Sequence, residues 1–117
     1  MRKNQRLEIY QTYLHTILSE GGSGNFVIFT DPISERSVQF IAEKWDRLVV
    51  IDIPKVALSK DETKRLKDFF GVLFESIEYT YQAEVTPEQG AKCAEKIFRD
   101  VYLLPDSYNI EAKLNLE

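Results

Sequence analysis

Few side chains in this 117-residue chain have the chemistry for catalysis or metal binding, and their spacing works against both. His15 is the one histidine and Cys93 the one cysteine, almost a whole chain apart. Zinc takes three or four ligands from such residues and carboxylates. The acidic residues form neither a calcium-loop pattern nor a Glu-x-x-His pair. A nucleophilic Cys93 would need His15 as its base. His15 falls on the polar side of a helical pattern and reads as a surface residue, whereas Cys93 borders an apolar stripe and reads as a small half-buried one. Asp52, in an otherwise apolar run, and Asp31, at the end of another, are the best carboxylates for general acid–base work. Aspartates also collect at strand ends for local turn reasons, and that reading is favoured. The sequence shows no glycine-flanked serine elbow. Gly21-Gly22-Ser23-Gly24 follows a helix and precedes a strand, the reverse of a phosphate-binding loop, and reads as a helix-ending turn. No metal, cofactor or catalytic residue is expected, and the chain reads as a non-enzyme.

Charge narrows the partners. Fifteen basic against nineteen acidic residues give a net charge of −4, which offers no attraction for nucleic acid or anionic lipid. Lys55, Lys60, Lys64, Arg65 and Lys67 cluster around one predicted helix start. Lys60, Lys64 and Lys67 make a candidate anion-binding ridge, although a solvated helix face is the commoner reason for such a run. Glu75, Glu78, Glu84 and Glu88 span a stretch without a basic residue, so the chain is mildly polarised, a geometry that orients a partner or a second copy.

Length and composition fit one domain over residues 1–117, with 44% hydrophobic and 29% charged residues. The lone cysteine excludes an internal disulfide and suits a reducing, cytoplasmic setting. Apolar runs reach only four residues, against about twenty for a membrane span. The basic start is not followed by a hydrophobic signal region. Leu116-Glu117 has the form of a vector-derived junction and carries no functional weight.

The elements follow from periodicity. Leu7, Tyr10, Leu14, Ile17 and Leu18 recur at helical spacing over residues 5–19. Residues 25–30, 37–43 and 48–53 read as three strands in an antiparallel meander, the last two joined by a tight connection at Lys44-Trp45-Asp46-Arg47. Ser59 to Glu62 and Thr86 to Gln89 are capping boxes, opening helices predicted to run to about residue 74 and to residue 104. Between them residues 77–85 alternate as one strand with a buried face. Residues 107–116 alternate too and read as a last strand, with a short helix, which their Glu and Lys also allow, as the alternative. The order α-β-β-β-α-β-α-(β) gives an α+β fold, a mostly antiparallel sheet packed against helices.

The central strands carry apolar residues at both parities. With Val38, Phe40 and Ala42 turned inward, Phe29, Ile41, Val49 and Ile51 are expected on the other face, where they would form an exposed interaction surface. Tyr79 and Tyr81 join that surface if residues 79–85 form a sheet edge open to backbone pairing with a peptide.

Ser37-Val38-Gln39-Phe40, Leu48-Val49-Val50-Ile51-Asp52-Ile53, Leu58-Ser59-Lys60-Asp61-Glu62 and the long helix from Thr86 give the chain a pattern that resembles the small bacterial α+β domains related to type III secretion chaperones. The resemblance covers about residues 5–104 and leaves the tail outside. It implies a non-enzymatic, often dimeric protein that binds a polypeptide or supports an assembly, and it supplies no catalytic residue. The function expected is therefore a chaperone-like or adaptor module with a protein, peptide or second copy as partner. A small-molecule or anion-binding regulatory module is the alternative.

Overall fold

The computed structural model describes residues 1–20, 24–43 and 47–117. Most of the glycine tract and most of the predicted 44–47 connection lie outside the described residues. In chain order the elements are α1 (Lys3–Ser19), β1 (Phe26–Thr30), β2 (Ser37–Ala42), β3 (Val49–Pro54), α2 (Lys60–Phe70), β4 (Glu75–Ile77), β5 (Thr80–Val85), α3 (Pro87–Lys96) and β6 (Glu111–Asn115). The strands form one sheet in the order β4-β5-β3-β2-β1-β6, with every neighbouring pair antiparallel. The fold is α+β, a sheet against three helices.

Local chemistry sets the boundaries. Ser59 Oγ accepts from the Glu62 N–H at 3.1 Å while Glu62 accepts from the Ser59 N–H at 2.8 Å, and Thr86 and Gln89 repeat the pattern at the start of α3. Gly71 stops α2 short of the predicted residue 74, because its φ of +58° is open to glycine and costly to other residues. The predicted strand 77–85 is a hairpin instead: β4 and β5 pair with Ile77 opposite Thr80, leaving Glu78 and Tyr79 as the turn. Alternation cannot reveal such a fold-back, since both arms keep the same period. After Lys96 the third helix widens into a π-type turn over Ile97–Val101, where the Tyr102 N–H reaches the Ile97 carbonyl at 2.9 Å.

Register decides which side chains are core. Residues directly opposite in an antiparallel pair share a face. Phe29 stands opposite Val38, Phe40 opposite Ile51, and Ala42 opposite Val49. Phe29, Val49 and Ile51 therefore point the same way as Val38, Phe40 and Ala42, against the helices, and each is fully buried. Their expected place on an exposed second face is overturned. The connections between the strands shift the parity, which strand-by-strand alternation does not show. Phe26, Ile28, Ile41 and Val50 share the opposite face; Val50 is buried and the other three half-buried. Of the four proposed central-strand residues, Ile41 lies on the face away from the helices, where it is half-buried.

Helices α1 and α3 pack side by side on the core face. Gly90 makes this possible, because a Cβ there would stand 2.9 Å from Leu14 Cδ1 and 3.1 Å from Phe40 Cε1. Aromatic edges knit the layer together: Tyr10 meets Phe29 at 4.8 Å and Phe29 meets Phe40 at 5.8 Å. Helix α2 lies on the same side toward β5. It is held by buried Leu66, by Arg65 Nε donating to the Val101 carbonyl at 2.9 Å, and by Lys96 Nζ donating to the Phe69 carbonyl at 3.1 Å.

Candidate functional site

At the α2 side of the sheet the chain leaves a groove of about 810 Å³ lined by Leu66, Lys67, Gly71, Val72, Leu73, Phe74, Glu75, Ser76 and Tyr81. Helix α2 forms one wall and the β4–β5 hairpin the other, with the segment after Gly71 as the rim. Half-buried Tyr81 lies on the helix-facing side of β5, and two cations stand over its ring, Lys55 Nζ at 5.2 Å and Lys67 Nζ at 5.9 Å. Lys55 also donates to Ser76 Oγ at 2.6 Å, which ties the start of the loop before α2 to the edge strand. Phe70 and Phe74 meet edge to face at 5.3 Å and shape the rim.

Exposed apolar side chains gather in this stretch of chain. Val72, fully exposed, and Leu73 line the groove, Phe69 lies in the last turn of α2, and Tyr79, 80% exposed, sits on the hairpin turn. Ile77, opposite Thr80, lies on the sheet face away from the helices. Among the described residues β4 is the end of the sheet and pairs with β5 alone. With Ile77 opposite Thr80 beside a two-residue turn, ladder bonds fall at alternate residues, so the backbone N–H and C=O of Ser76 face outward. The groove thus combines a largely apolar lining, one cation (Lys67) and one carboxylate (Glu75) in its walls, and a short open stretch of backbone.

The residues proposed from sequence scatter across the molecule. Tyr79 and Tyr81 come together here, one on the hairpin turn and one inside the groove. Strand β5 is not the edge expected for residues 79–85, because β4 pairs with it on one side and β3 on the other. The lysine ridge is not focused on one point: Lys60 is exposed, Lys64 Nζ binds Asp68 at 2.9 Å, and Lys67 turns toward Tyr81. The hydrogen bond to Asp68 raises the Lys64 ammonium above its ordinary value. Asp31 and Asp52 serve separate local roles. Asp31 accepts from the Ser34 N–H at 2.8 Å in its turn, and Asp52 accepts from Gln82 Nε2 at 2.7 Å across β3 and β5. His15 is exposed beside Glu88 at 3.2 Å. Cys93 is half-buried, and burial pushes its thiol up. Among the described residues no three metal-ligating side chains cluster.

Two features lie outside the residues proposed from sequence. A buried polar network joins Arg6, Glu95, Tyr108 and Tyr10: Tyr108 donates to Glu95 Oε2 at 2.6 Å, the two tyrosine hydroxyls are 2.7 Å apart, and the Arg6 guanidinium stacks 3.9 Å from the Tyr108 ring. The signal was present, since Arg6 continues the Tyr10, Leu14 and Ile17 stripe one turn earlier. Glu95 lies likewise between Ala91 and Phe98 on the inner face of α3. Next to this network, a groove of about 500 Å³ between α1 and α3 is lined by Lys3, Leu7, Lys92, Glu95, Lys96, Arg99 and Asp100.

Comparison of the chain with protein-family models, with curated proteins and with solved structures finds no match.

Proposed function

We propose that the protein is a non-enzymatic protein-interaction module, chaperone-like or adaptor in type, that takes an extended apolar segment of a partner in the groove between α2 and β4. One observation carries the reading. Of the ten large apolar side chains that are exposed among the described residues, five (Phe69, Val72, Leu73, Ile77 and Tyr79) fall within residues 69–79, and Val72 and Leu73 among them line the groove. Scattered exposed apolar residues are ordinary on a soluble surface, but a cluster beside a groove marks a docking site. Apolar side chains of a partner would enter the groove, and the backbone of Ser76 would give the segment a direction. Lys55 and Lys67 favour an acidic residue next to the apolar ones. The resemblance to secretion-chaperone domains implies a function of the same class. Among the described residues no helix is long and apolar enough to cross a membrane, and the lone thiol fits a cytoplasmic setting.

The test is selection of random displayed peptides on the intact protein, repeated on Val72→Asp. Enrichment of apolar sequences carrying an acidic residue, with binding weakened more than about tenfold by the substitution, is the expected result. Equal binding by Val72→Asp, or no enrichment at all, defeats the reading.

The alternative, anion binding, is favoured by the second groove rather than by the lysine ridge. Lys3, Lys92, Lys96 and Arg99 face it against Asp100 and Glu95, and the Glu95 carboxylate is already held by Arg6. Titration with inorganic phosphate at low salt, read at the amides around Lys92 and Arg99, tests it.

A further inference from the structure

Strand β6 closes the opposite end of the sheet, and its register shows which of its backbone groups are open. The Asp31 N–H donates to the Arg36 carbonyl at 2.9 Å and the Ala42 N–H to the Asn25 carbonyl at 2.8 Å, so the odd-numbered residues along β1 carry the ladder to β2. Antiparallel partners exchange hydrogen bonds at alternate residues. Phe26, Ile28 and Thr30 therefore bond to β6, through their partners Asn115, Lys113 and Glu111. The N–H and C=O groups of Ala112 and Leu114 point off the sheet. Among the described residues no strand pairs with that edge.

Side chains alternate across the same strand. Glu111 and Lys113 lie beside Thr30 and Ile28 on the face away from the helices, and both are exposed. Ala112 and Leu114 lie on the helix side, and Leu114 is exposed at 38% although its neighbour Val27 is fully buried. An open five-residue edge is a template for another strand.

We infer that this edge pairs with the same edge of a second copy, antiparallel about a twofold axis through Ala112. The open groups belong to even-numbered residues, so a symmetric pairing has a few registers, centred on residue 111, 112, 113 or 114. A centre at 111 sets Glu111 against itself, and one at 113 sets Lys113 against itself, both repulsive. A centre at 114 sets Lys113 against the neutral Asn115. The register centred on Ala112 alone puts Glu111 of each copy opposite Lys113 of the other, twice over. It also joins the two Ala112 residues by reciprocal N–H to carbonyl bonds and covers Leu114. The interface is isologous and closes with two copies. It uses no residue of the α2–β4 groove, so failure of either proposal leaves the other standing.

Sedimentation of the intact chain from about 10 μM to about 1 mM is the test, because a short edge gives a weak dimer. The mass is expected to move from one copy toward two over that range. Lys113→Glu alone should weaken association about tenfold or more, and the exchange Glu111→Lys with Lys113→Glu should restore it to within about threefold. Ala112→Pro removes an outward donor that β1 does not use, so it should abolish association while leaving the circular dichroism spectrum unchanged. A single species at the highest concentration overturns the inference. So does association that Lys113→Glu leaves intact, or that the charge exchange fails to rescue.

Discussion

The Arg6 guanidinium grips the Glu95 carboxylate with two hydrogen bonds, Nε to Oε2 at 2.8 Å and Nη2 to Oε1 at 2.6 Å, joining the first turn of α1 to the last turn of α3. Arg6 Nη1 meets the carbonyls of Asp106 and Tyr108 at 2.8 and 3.1 Å, so both ions leave water with their hydrogen-bonding capacity used. One polar knot thus fixes α1, α3 and the segment leading into β6.

Breaking that knot from one side leaves a buried charge without its partner, which costs more than the pair contributes. Arg6→Leu is expected to destabilise the fold by about 3–5 kcal/mol in urea unfolding. Arg6→Leu combined with Glu95→Leu should cost less than the sum of the two single changes. Additive losses would mean that the carboxylate and guanidinium are not coupled.

The same groups set the pH limits. Burial alone would raise the Glu95 carboxyl, but hydrogen bonds from Arg6 and Tyr108 outweigh it and hold it below the usual carboxylate range. A depressed value in the folded state gives stability that is present above the unfolded value, about pH 4.3, and lost as pH falls through the folded one. At the alkaline end burial pushes Tyr102 up to about 12, and Tyr10 and Tyr108 are raised as well. Raised values give stability that is complete below the unfolded value, about pH 10, and declines above it as the unfolded tyrosines ionise first. Urea midpoints across pH should therefore fall below about pH 4 and above about pH 10, and Tyr102→Phe should soften the alkaline fall.

The fold was legible in the sequence where a local signal and a tertiary requirement agree. The Ser59 and Thr86 caps start α2 and α3, and the Tyr10, Leu14 and Ile17 stripe buries the expected face of α1. What alternation cannot carry is the parity relation between strands. Alternation read strand by strand puts Phe29 and Ile41 on one face, yet β1 and β2 pair so that they point to opposite faces. The groove is hidden for a similar reason, since Tyr81 in β5 and Lys67 in α2 meet only after the β4–β5 hairpin folds back. The Arg6–Glu95 pair was readable in principle, as two opposite charges each on the apolar stripe of a different helix.

Leu103 carries a local cost that the sequence does not announce. Its φ of +58° is left-handed, just beyond the π-type turn, in the position where helices commonly end on glycine. The side chain is 62% exposed and contributes little packing. Leu103→Gly should relieve about 1 kcal/mol of backbone strain, offset in part by the freer unfolded chain. A net gain of about 0.5 kcal/mol in urea unfolding is expected, and a loss would show that the leucine packs more than its exposure indicates.

Phe29 and Val72 separate core from docking surface by one measurement. Phe29 is fully buried among Tyr10, Tyr13 and Phe40, so Phe29→Asp would force a carboxylate into an apolar layer that offers it no partner. A loss of about 4 kcal/mol or more is expected, enough to unfold most of a marginally stable domain at room temperature. Val72 is fully exposed on the groove rim, and Val72→Asp should shift stability by less than about 0.5 kcal/mol. The same substitution should reduce binding of an apolar fluorescent dye, because it places a charge in the most exposed part of the 69–79 cluster. Dye binding that survives Val72→Asp unchanged would locate the apolar surface elsewhere, on the sheet face of Phe26, Ile28 and Ile41.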